Sequence, residues 1–294
     1  MPKIELQGAD GLVLAADAEG DPTRAPVILL HGGGQTRHAW GTTLRTLGER
    51  WYALSVDLRG HGDSQWATDG DYSLDAFARD IRVLAASFDQ PPVLVGASLG
   101  GISSIAAIGE EQRAQAAGLV LVDVAPRVEE AGVKRIGAFM TGNMDGFASL
   151  EEVADLIATY NPHRPRPSDL SGLKKNLRQR DDGRWVWHWD PAFVGGRFGS
   201  IDETRTRADA TGDRSSLVDG QRLQRAAATI TIPTLLVRGR MSDLLSEEGA
   251  QELLELVPHA SLVDVAGAGH MVAGDRNDLF NDAVVAFVDE VRAG

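Results

Sequence analysis

The stretch VLVGASLGG, residues 93–101, decides the fold that the sequence predicts. Val93 to Val95 is a short apolar run typical of a buried strand. Gly96 to Gly100 follows at once, matches the pattern G-x-S-x-G, and leads into a helix that begins at about Leu99. In this context a serine lies on a strained strand-to-helix turn with its hydroxyl group projecting from the sheet. We therefore predict that Ser98 is a nucleophile.

The rest of the chain alternates between short apolar runs and amphipathic stretches. Between the runs, apolar residues recur at helical spacing. Strands separated by helices need crossover connections, which favour parallel, right-handed pairing. The pattern therefore predicts an α/β fold with a mostly parallel twisted sheet flanked by helices. The apolar runs are Ala25 to Leu30, Tyr52 to Val56, Val93 to Val95, Leu119 to Val124, Pro233 to Val237 and Ser261 to Val265.

This alternation is interrupted between Pro126 and about Arg225. The interruption predicts an inserted, mainly helical cap at residues 126–226, between a first core part at 1–125 and a second at 227–294. Three tryptophans of the insertion alternate with a period of two, which favours an extended segment packed on the core. Other aromatic residues of the insertion suggest an apolar pocket beneath it. The three tryptophans are Trp185, Trp187 and Trp189, and the other aromatics are Phe139, Phe147 and Tyr160.

Composition excludes several classes of function. The formal net charge of −13 argues against a nucleic-acid partner, which would require clustered lysine and arginine. The chain has no cysteine, which rules out disulfides, thiolate catalysis and cysteine–metal sites. Its first residues lack the apolar core of a signal peptide, and no apolar run approaches the ~18 residues of a membrane span. We expect a cytoplasmic protein that acts on a small molecule, and the sequence does not predict its oligomeric state.

A glycine cluster after the first buried run predicts an oxyanion hole. His31 to Gly34 reads HGGG, and backbone N–H groups on such a turn can stabilise the oxyanion that develops during acyl transfer. We expect Gly33 and Leu99 to supply the two donors, with Gly34 as a weaker alternative. His31 itself is expected to bond the backbone rather than take part in the chemistry.

The predicted base is His270, in the segment Gly267 to Met271 (GAGHM). The base should lie C-terminal to the nucleophile, and of the histidines there His270 alone follows a buried strand at the expected end of the sheet. Two aspartates could orient it, because each comes after a buried strand. They are Asp243, beyond Pro233 to Val237, and Asp123, beyond the strand that follows the nucleophile helix.

HGGG, DLRGHGDS at Asp57 to Ser64, GASLGG and GAGH together resemble the α/β-hydrolase superfamily, in its serine-nucleophile branch. The resemblance covers nearly the whole chain apart from the cap. The family's chain order, Ser98, Asp243, His270, favours Asp243 as the acid and leaves Asp123 as the alternative. The resemblance also implies that Asp57 to Ser64 is a structural turn. Epoxide hydrolases and haloalkane dehalogenases of the family carry aspartate at the nucleophile position, so Ser98 argues against both activities.

The resemblance implies a serine hydrolase that cleaves a small or medium apolar carboxylic ester or lactone through an acyl-enzyme. Its implied catalytic triad is Ser98, Asp243 and His270, and the chemistry needs neither a metal nor an organic cofactor. The same triad could serve a C–C bond hydrolase or a cofactor-free perhydrolase. A hypothesis from another class is a ligand receptor on the hydrolase fold with vestigial turnover.

Overall fold

The computed structural model describes residues 2–162, 166–194, 219–270 and 277–293. Its strands are numbered in chain order, and all except β7 and β8 belong to one central sheet. The strands are β1 (Lys3–Gln7), β2 (Val13–Glu19), β3 (Pro26–Leu30), β4 (Tyr52–Val56), β5 (Val93–Ala97), β6 (Gly118–Val122), β7 (Leu177–Gln179), β8 (Trp185–Trp187), β9 (Thr234–Gly239) and β10 (Ser261–Val265).

The central sheet has eight strands in the order β1-β2-β4-β3-β5-β6-β9-β10. From β4 to β10 every neighbouring pair is parallel, and β2 pairs antiparallel with both β1 and β4. The mostly parallel sheet predicted from the sequence is therefore confirmed. The antiparallel pair β1 and β2 lies at one edge, and alternate residues of β1 are exposed there.

Helices cover both faces of the sheet. The described helices are α1 (Gly41–Gly48), α2 (Leu74–Ala86), α3 (Leu99–Gly109), α4 (Glu130–Thr141), α5 (Leu150–Tyr160), α6 (Pro191–Val194), α7 (Gly220–Ala227), α8 (Glu247–Leu256) and α9 (Asn277–Ala293). Two apolar clusters result, because successive strand residues point to opposite faces. Ile28 and Leu30 pack with α2, α3, α7 and α8, whereas Val27 and Leu29 pack with α1 and α9.

The inserted segment contains α4, α5 and α6 and a hairpin of β7 and β8. Trp185 and Trp187 belong to β8, which confirms the extended segment predicted from the alternating tryptophans. Trp189 forms an isolated bridge with His61 and so ties the insertion to the core. Part of the segment, 195–218, lies outside the described residues, and the boundaries 126 and 226 stay a prediction.

The chain enters the insertion at the edge of the sheet where β3, β5, β6 and β9 end, which we call the carboxyl edge. The Glu129 N–H group, just before α4, donates to the carbonyl of Leu244, beyond the end of β9, at 2.8 Å. In open parallel sheets this edge is where ligands bind. No helix among the residues that the structure describes is long and apolar enough to cross a bilayer.

Candidate active site

Ser98 lies on the sharp turn between β5 and α3. Its backbone adopts φ 45° and ψ −111°, a conformation that residues other than glycine rarely adopt. The turn is tight, because a Cβ atom at Gly96 would lie 2.6 Å from the backbone of Gly100. A Cβ atom at Gly100 would in turn lie 2.5 Å from the carbonyl oxygen of Leu30. The flanking glycines are therefore required by close backbone packing, and the side chain of Ser98 is left half-buried at the carboxyl edge.

The segment His31 to Gly34, here called the glycine loop, runs alongside this turn. A Cβ atom at Gly32 would lie 3.4 Å from Cβ of Ser98, and one at Gly33 would lie 4.0 Å from Cβ of Leu99. The loop closes as a turn in which the N–H group of Gln35 donates to the carbonyl of Gly32 at 3.1 Å. Gly33 and Leu99, the predicted donors, are thus neighbours beside Ser98.

The three amides of the glycine loop differ in their partners. The N–H group of Gly32 donates to Oε1 of Gln35 at 3.0 Å, and that of Gly34 donates to Nε2 of His61 at 3.1 Å. Within the described ranges, neither Gly33 nor Leu99 has an acceptor for its N–H group. Gly34, the weaker alternative, is therefore already occupied, and the two free donors are the ones that the sequence favoured.

Two fully buried histidines support the glycine loop. His31 accepts from the N–H group of Leu58 through Nε2 at 3.0 Å, and its Nδ1 faces the carbonyl of Gly32 at 2.8 Å. Burial lowers the pKa of His31 to about 4. Burial, with His31 next to it, lowers the pKa of His61 to about 3. Both rings are therefore uncharged at neutral pH, and His31 bonds the backbone as expected.

Asp123 follows β6 directly and carries the buried carboxylate of the carboxyl edge. Its side chain is 0 % exposed. Oδ1 accepts from the N–H group of Gly239 at 2.9 Å, and Oδ2 accepts from Oγ of Ser242 at 2.5 Å. Oδ2 also lies 2.7 Å from Nδ1 of His270. Three hydrogen bonds to one carboxylate fix its orientation.

Strand register brings Ser98 next to Asp123. Ala97 at the end of β5 is opposite Val122 at the end of β6, so the next residue of each strand emerges side by side. The N–H group of Ser98 still donates to the carbonyl of Val122, at 3.4 Å. Asp123 has a φ of 51°, so both residues take a left-handed backbone conformation where their strands end.

His270 reaches the site from a loop beyond β10. The backbone of Ala268 and Gly269 lies so close to Gly239 that no side chain fits at residue 239. The N–H group of Met241 also donates to the carbonyl of Ala268 at 2.9 Å. The side chain of His270 is 16 % exposed, with Nδ1 towards Asp123 and Nε2 on the opposite edge of the ring. A partly exposed imidazole in this position is able to exchange a proton with a ligand.

The expectation that Asp243 orients His270 is wrong, because Asp123 makes that hydrogen bond. The loop after β9 turns at once, with the N–H group of Ser242 donating to the carbonyl of Gly239 at 3.0 Å. The side chain of Asp243 is 39 % exposed and pairs with Nε of Arg135 on α4 at 2.9 Å. Ser242, the residue before Asp243, is the one in this loop that hydrogen-bonds Asp123.

Ser242 is a site residue that the sequence did not indicate. Its Oγ accepts from the N–H groups of Leu244 and Leu245 at 3.1 and 3.2 Å. Because both N–H groups donate to this oxygen, the hydroxyl proton of Ser242 points to Asp123. A serine in a polar turn is too common for any sequence pattern to have identified it.

Apolar side chains from the insertion cover the glycine loop. A Cβ atom at Gly33 would lie 3.6 Å from the ring of Phe193. One at Gly34 would lie 3.2 Å from Cε of Met140 and 3.3 Å from the ring of Trp189. The loop therefore lies between the sheet and an apolar roof. The ring of Trp189 also stacks on Trp187, with centroids 5.0 Å apart, and Trp187 contacts Phe139 and Phe147.

The segment Asp57 to Ser64 is built as a structural turn, as the resemblance implies. Asp57 is fully buried, forms an ion pair with Arg37, and also accepts from the N–H groups of Arg37 and Asp63. The hydroxyl group of Ser64 donates to the carbonyl of Asp57 at 2.6 Å. Across the described ranges, no cluster of three histidine, aspartate or glutamate side chains has the arrangement of a metal site.

Comparisons with known proteins agree with this geometry. Residues 27–283 match the model of the alpha/beta hydrolase family. Esterase Rv0045c of Mycobacterium tuberculosis is 33% identical over 289 residues, which cover 94% of this chain and 86% of that protein. Its crystal structure superimposes with a TM-score of 0.71 at 30% identity, covering 98% of this chain and 92% of that one.

Two further relatives extend the comparison. The 3-hydroxybutyrate-oligomer hydrolase of Cupriavidus necator is 28% identical over 260 residues, or 85% of this chain and 84% of that protein. The crystal structure of an E-2-(acetamidomethylene)succinate hydrolase superimposes with a TM-score of 0.80 at 22% identity, covering 98% and 100% of the two chains, and shows the shared fold alone. The relatives and the fold indicate a hydrolase. The chain belongs to the alpha/beta hydrolase family, as its motifs predict.

Proposed function

We propose that this protein is a carboxylic ester hydrolase with Ser98, His270 and Asp123 as its catalytic triad. One observation carries the proposal: the 2.7 Å hydrogen bond from His270 to a buried carboxylate that emerges next to the Ser98 turn. The proposed substrates are small or medium apolar esters or lactones. An esterase as relative at 33% identity supports the ester class.

The proposed reaction begins with a proton transfer. With the Nδ1–H group of His270 hydrogen-bonded to Asp123, the lone pair of Nε2 is available to accept the proton of the Ser98 hydroxyl group. Oγ of Ser98 then forms a bond to the carbonyl carbon, and the carbonyl oxygen becomes an oxyanion. The carboxylate of Asp123 stabilises the imidazolium ion without taking its proton.

Collapse of this intermediate breaks the bond to the alcohol oxygen, which leaves with the proton from His270. The acyl group then remains on Ser98 as an ester. His270 next takes a proton from water, and the resulting hydroxide adds to the acyl carbon. A second collapse returns the proton to Oγ of Ser98 and releases the carboxylic acid.

The N–H groups of Gly33 and Leu99 are the proposed oxyanion hole. Gly33 and Leu99 are neighbours beside Ser98, and their N–H groups have no acceptor within the described part of the chain. Backbone donors held in advance stabilise charge that appears only in the transition state. The apolar roof of Phe193, Trp189 and Met140 lowers the local polarity and favours an apolar substrate. We further propose that segment 126–226 acts as a cap over this site.

Replacement of the nucleophile tests the proposal. Ser98→Ala is expected to lower the turnover of short-chain p-nitrophenyl esters by roughly 10³–10⁶-fold. It should also abolish labelling by a fluorophosphonate probe. Ser103→Ala is a matched control on the same helix, because Oγ of Ser103 is buried and has no hydrogen-bond partner among the described residues. Full activity in Ser98→Ala, or none in Ser103→Ala with an intact fold, would contradict the proposal.

A substrate panel distinguishes ester or lactone hydrolysis from the other reactions that this triad could catalyse, which are C–C bond hydrolysis and perhydrolysis. The panel contains esters, lactones, substrates with a cleavable carbon–carbon bond, and peroxide. The proposal expects steady release of p-nitrophenol over many turnovers. A single burst followed by arrest would instead indicate a ligand receptor with vestigial turnover.

A further inference from the structure

We infer that His61 is a positioning residue for the oxyanion hole. Its imidazole accepts a hydrogen bond from the N–H group of Gly34. This bond fixes the glycine loop so that the neighbouring N–H group of Gly33 is available to the substrate oxygen. This inference rests on the proposed function, since it assigns a role to a residue that touches neither Ser98 nor His270 in the proposed reaction.

The glycine loop needs such support from outside. Three consecutive glycines have no side chains to restrict them, and glycine has the largest choice of backbone conformations. Gly34 has a φ of 76°, in the left-handed region. The amide of Gly32 is held by Gln35 and that of Gly34 by His61. The direction of the one remaining amide, that of Gly33, is therefore set by the anchors on both sides.

The acceptor role of His61 follows from its other ring nitrogen. Nδ1 lies 2.9 Å from the carbonyl oxygen of Arg59, which only accepts hydrogen bonds. Nδ1 therefore carries the proton, and Nε2 has the lone pair that faces Gly34. A proton added to Nε2 would point at the N–H group of Gly34, so the ring acts as an anchor only while it is uncharged. Burial lowers the pKa of His61 to about 3, so the ring stays uncharged at any pH at which an esterase assay is run.

His61 itself is held by the insertion. The N–H group of Gly62 donates to the carbonyl of His188 at 2.7 Å, and that of Asp190 donates to the carbonyl of Gly60 at 2.7 Å. The ring of Phe193 meets His61 edge-on, with centroids 4.7 Å apart. The inserted segment thus positions His61 from both sides, and His61 positions the glycine loop.

Two substitutions of His61 separate its acceptor role from its packing. His61→Leu removes the acceptor and leaves the N–H group of Gly34 unpaired. We expect kcat for a p-nitrophenyl ester to fall roughly 10–100-fold, somewhat less than the loss of one oxyanion donor, while KM changes by less than about threefold. His61→Gln keeps an acceptor oxygen on a side chain of similar length and should restore part of the loss.

The affinity for a transition-state analogue distinguishes a positioning role from a merely structural one, because a merely structural role would leave this affinity unchanged. A trifluoromethyl ketone adds to Ser98 and puts an oxyanion in the hole, so its affinity should fall by the same factor as kcat. Thr43→Val is the matched control, because it removes a buried 2.7 Å hydrogen bond to Asn281 on the other face of the sheet. It should lower the thermal midpoint while leaving kcat and ketone affinity unchanged.

Several outcomes would overturn the inference. One is an unchanged kcat in folded His61→Leu, whether or not the KM of that variant is raised. Another is a loss of kcat in Thr43→Val equal to that in His61→Leu. A wild-type protein that binds the ketone without hydrolysing esters would contradict the proposed function only. The ketone affinities of the His61 variants would then still decide the role of His61. A wild-type protein that does neither would contradict both.

If His61→Leu does not fold, amide and imidazole NMR of the wild-type protein decides the question. Addition of the ketone should move the amide protons of Gly33 and Leu99 downfield, with Gly34 unchanged. The Nε2 nitrogen of His61 should keep the chemical shift of an unprotonated acceptor. A downfield shift at Gly34, or a proton on Nε2, would refute the positioning role.

Discussion

The loops that follow β6 and β9 carry the two aspartates of the carboxyl edge, and they place them in opposite surroundings. Asp123 follows β6 directly, is 0 % exposed and receives three hydrogen bonds. Asp243 lies beyond the turn that ends β9, is 39 % exposed and pairs with Arg135 of α4. The two strands are neighbours and parallel, so the difference arises from the distance of each residue beyond its strand end.

This contrast shows how a parallel sheet prepares a carboxylate for chemistry. The first residue beyond an inner strand is enclosed by the loops of its neighbours, and its lone pairs meet fixed donors. A residue further along has reached the surface, where an ion pair contributes about 0–1 kcal/mol and is screened by salt. Asp243 therefore serves the contact between α4 and the core, whereas Asp123 is able to orient an imidazole.

The largest expected effect comes from exchanging each carboxylate for an amide. Asp123→Asn should lower kcat by on the order of 10⁴-fold, because an amide no longer fixes the tautomer of His270. Asp243→Asn is the matched variant and should change kcat by less than about threefold. Steady-state kinetics with one p-nitrophenyl ester measures both. If Asp243→Asn proved the more damaging, the active form would have a different loop arrangement from this structure.

Burial also lowers the pKa values of several histidines, and the free energy of unfolding should therefore depend on pH. The folded state keeps His31 and His61 uncharged, since burial lowers their pKa values to about 4 and about 3. The unfolded chain protonates both below about pH 6.5, so it binds more protons than the folded state there. The free energy of unfolding is therefore fully retained above about pH 6.5 and falls as the pH drops towards 4.

At about pH 5.5, one pH unit below the histidine pKa in the unfolded chain, each ring lowers the free energy of unfolding by about 1.4 kcal/mol. The two rings together lower it by about 3 kcal/mol. Half-buried His38 and His188 also have lowered pKa values, because of burial, and act in the same direction. Urea unfolding followed by tryptophan fluorescence at pH 7.5 and 5.5 measures this difference. Equal stability at the two values would show that these rings are not buried uncharged.

A smaller loss of activity than in Asp123→Asn is expected at Ser242, which links the two loops by donating to Asp123. Ser242→Ala removes one of three donors from the carboxylate and should lower kcat about tenfold, near the lower limit for a hydrogen bond to a charged group. Ser242→Thr keeps the hydroxyl group and should retain most of the activity. If alanine and threonine variants were equally active, the bond from Ser242 would contribute nothing to the orientation of Asp123.

Much of the fold could be predicted from the sequence, because buried parallel strands appear as apolar runs with glycine at their ends. The serine turn at Ser98 and the glycine loop stand directly after such runs, so their place at the carboxyl edge follows from topology. The strand at Trp185 and Trp187 was visible from its period of two. The antiparallel strand β1 carried no such signal, since it is short and half exposed at the edge of the sheet.

The sequence could not show which aspartate is hydrogen-bonded to His270, because this depends on how a loop turns within a few residues. Asp243 and Ser242 are adjacent in sequence, yet only Ser242 faces Asp123. The bond from Gly34 to His61 is equally hidden, since it joins two loops whose approach depends on the sheet order. Such contacts follow from three-dimensional packing and leave no periodic pattern in the sequence.

The left-handed backbone at Ser98 and Asp123 has a consequence for how this protein could be made more robust. Each such conformation carries an energetic penalty, of the order of 1–3 kcal/mol where it is sparsely populated, that the surrounding structure must outweigh. Glycine would relieve it at either residue and would remove the hydroxyl or the carboxylate with it. If both residues have the roles proposed above, selection for thermal resistance alone would therefore favour replacements that are inactive.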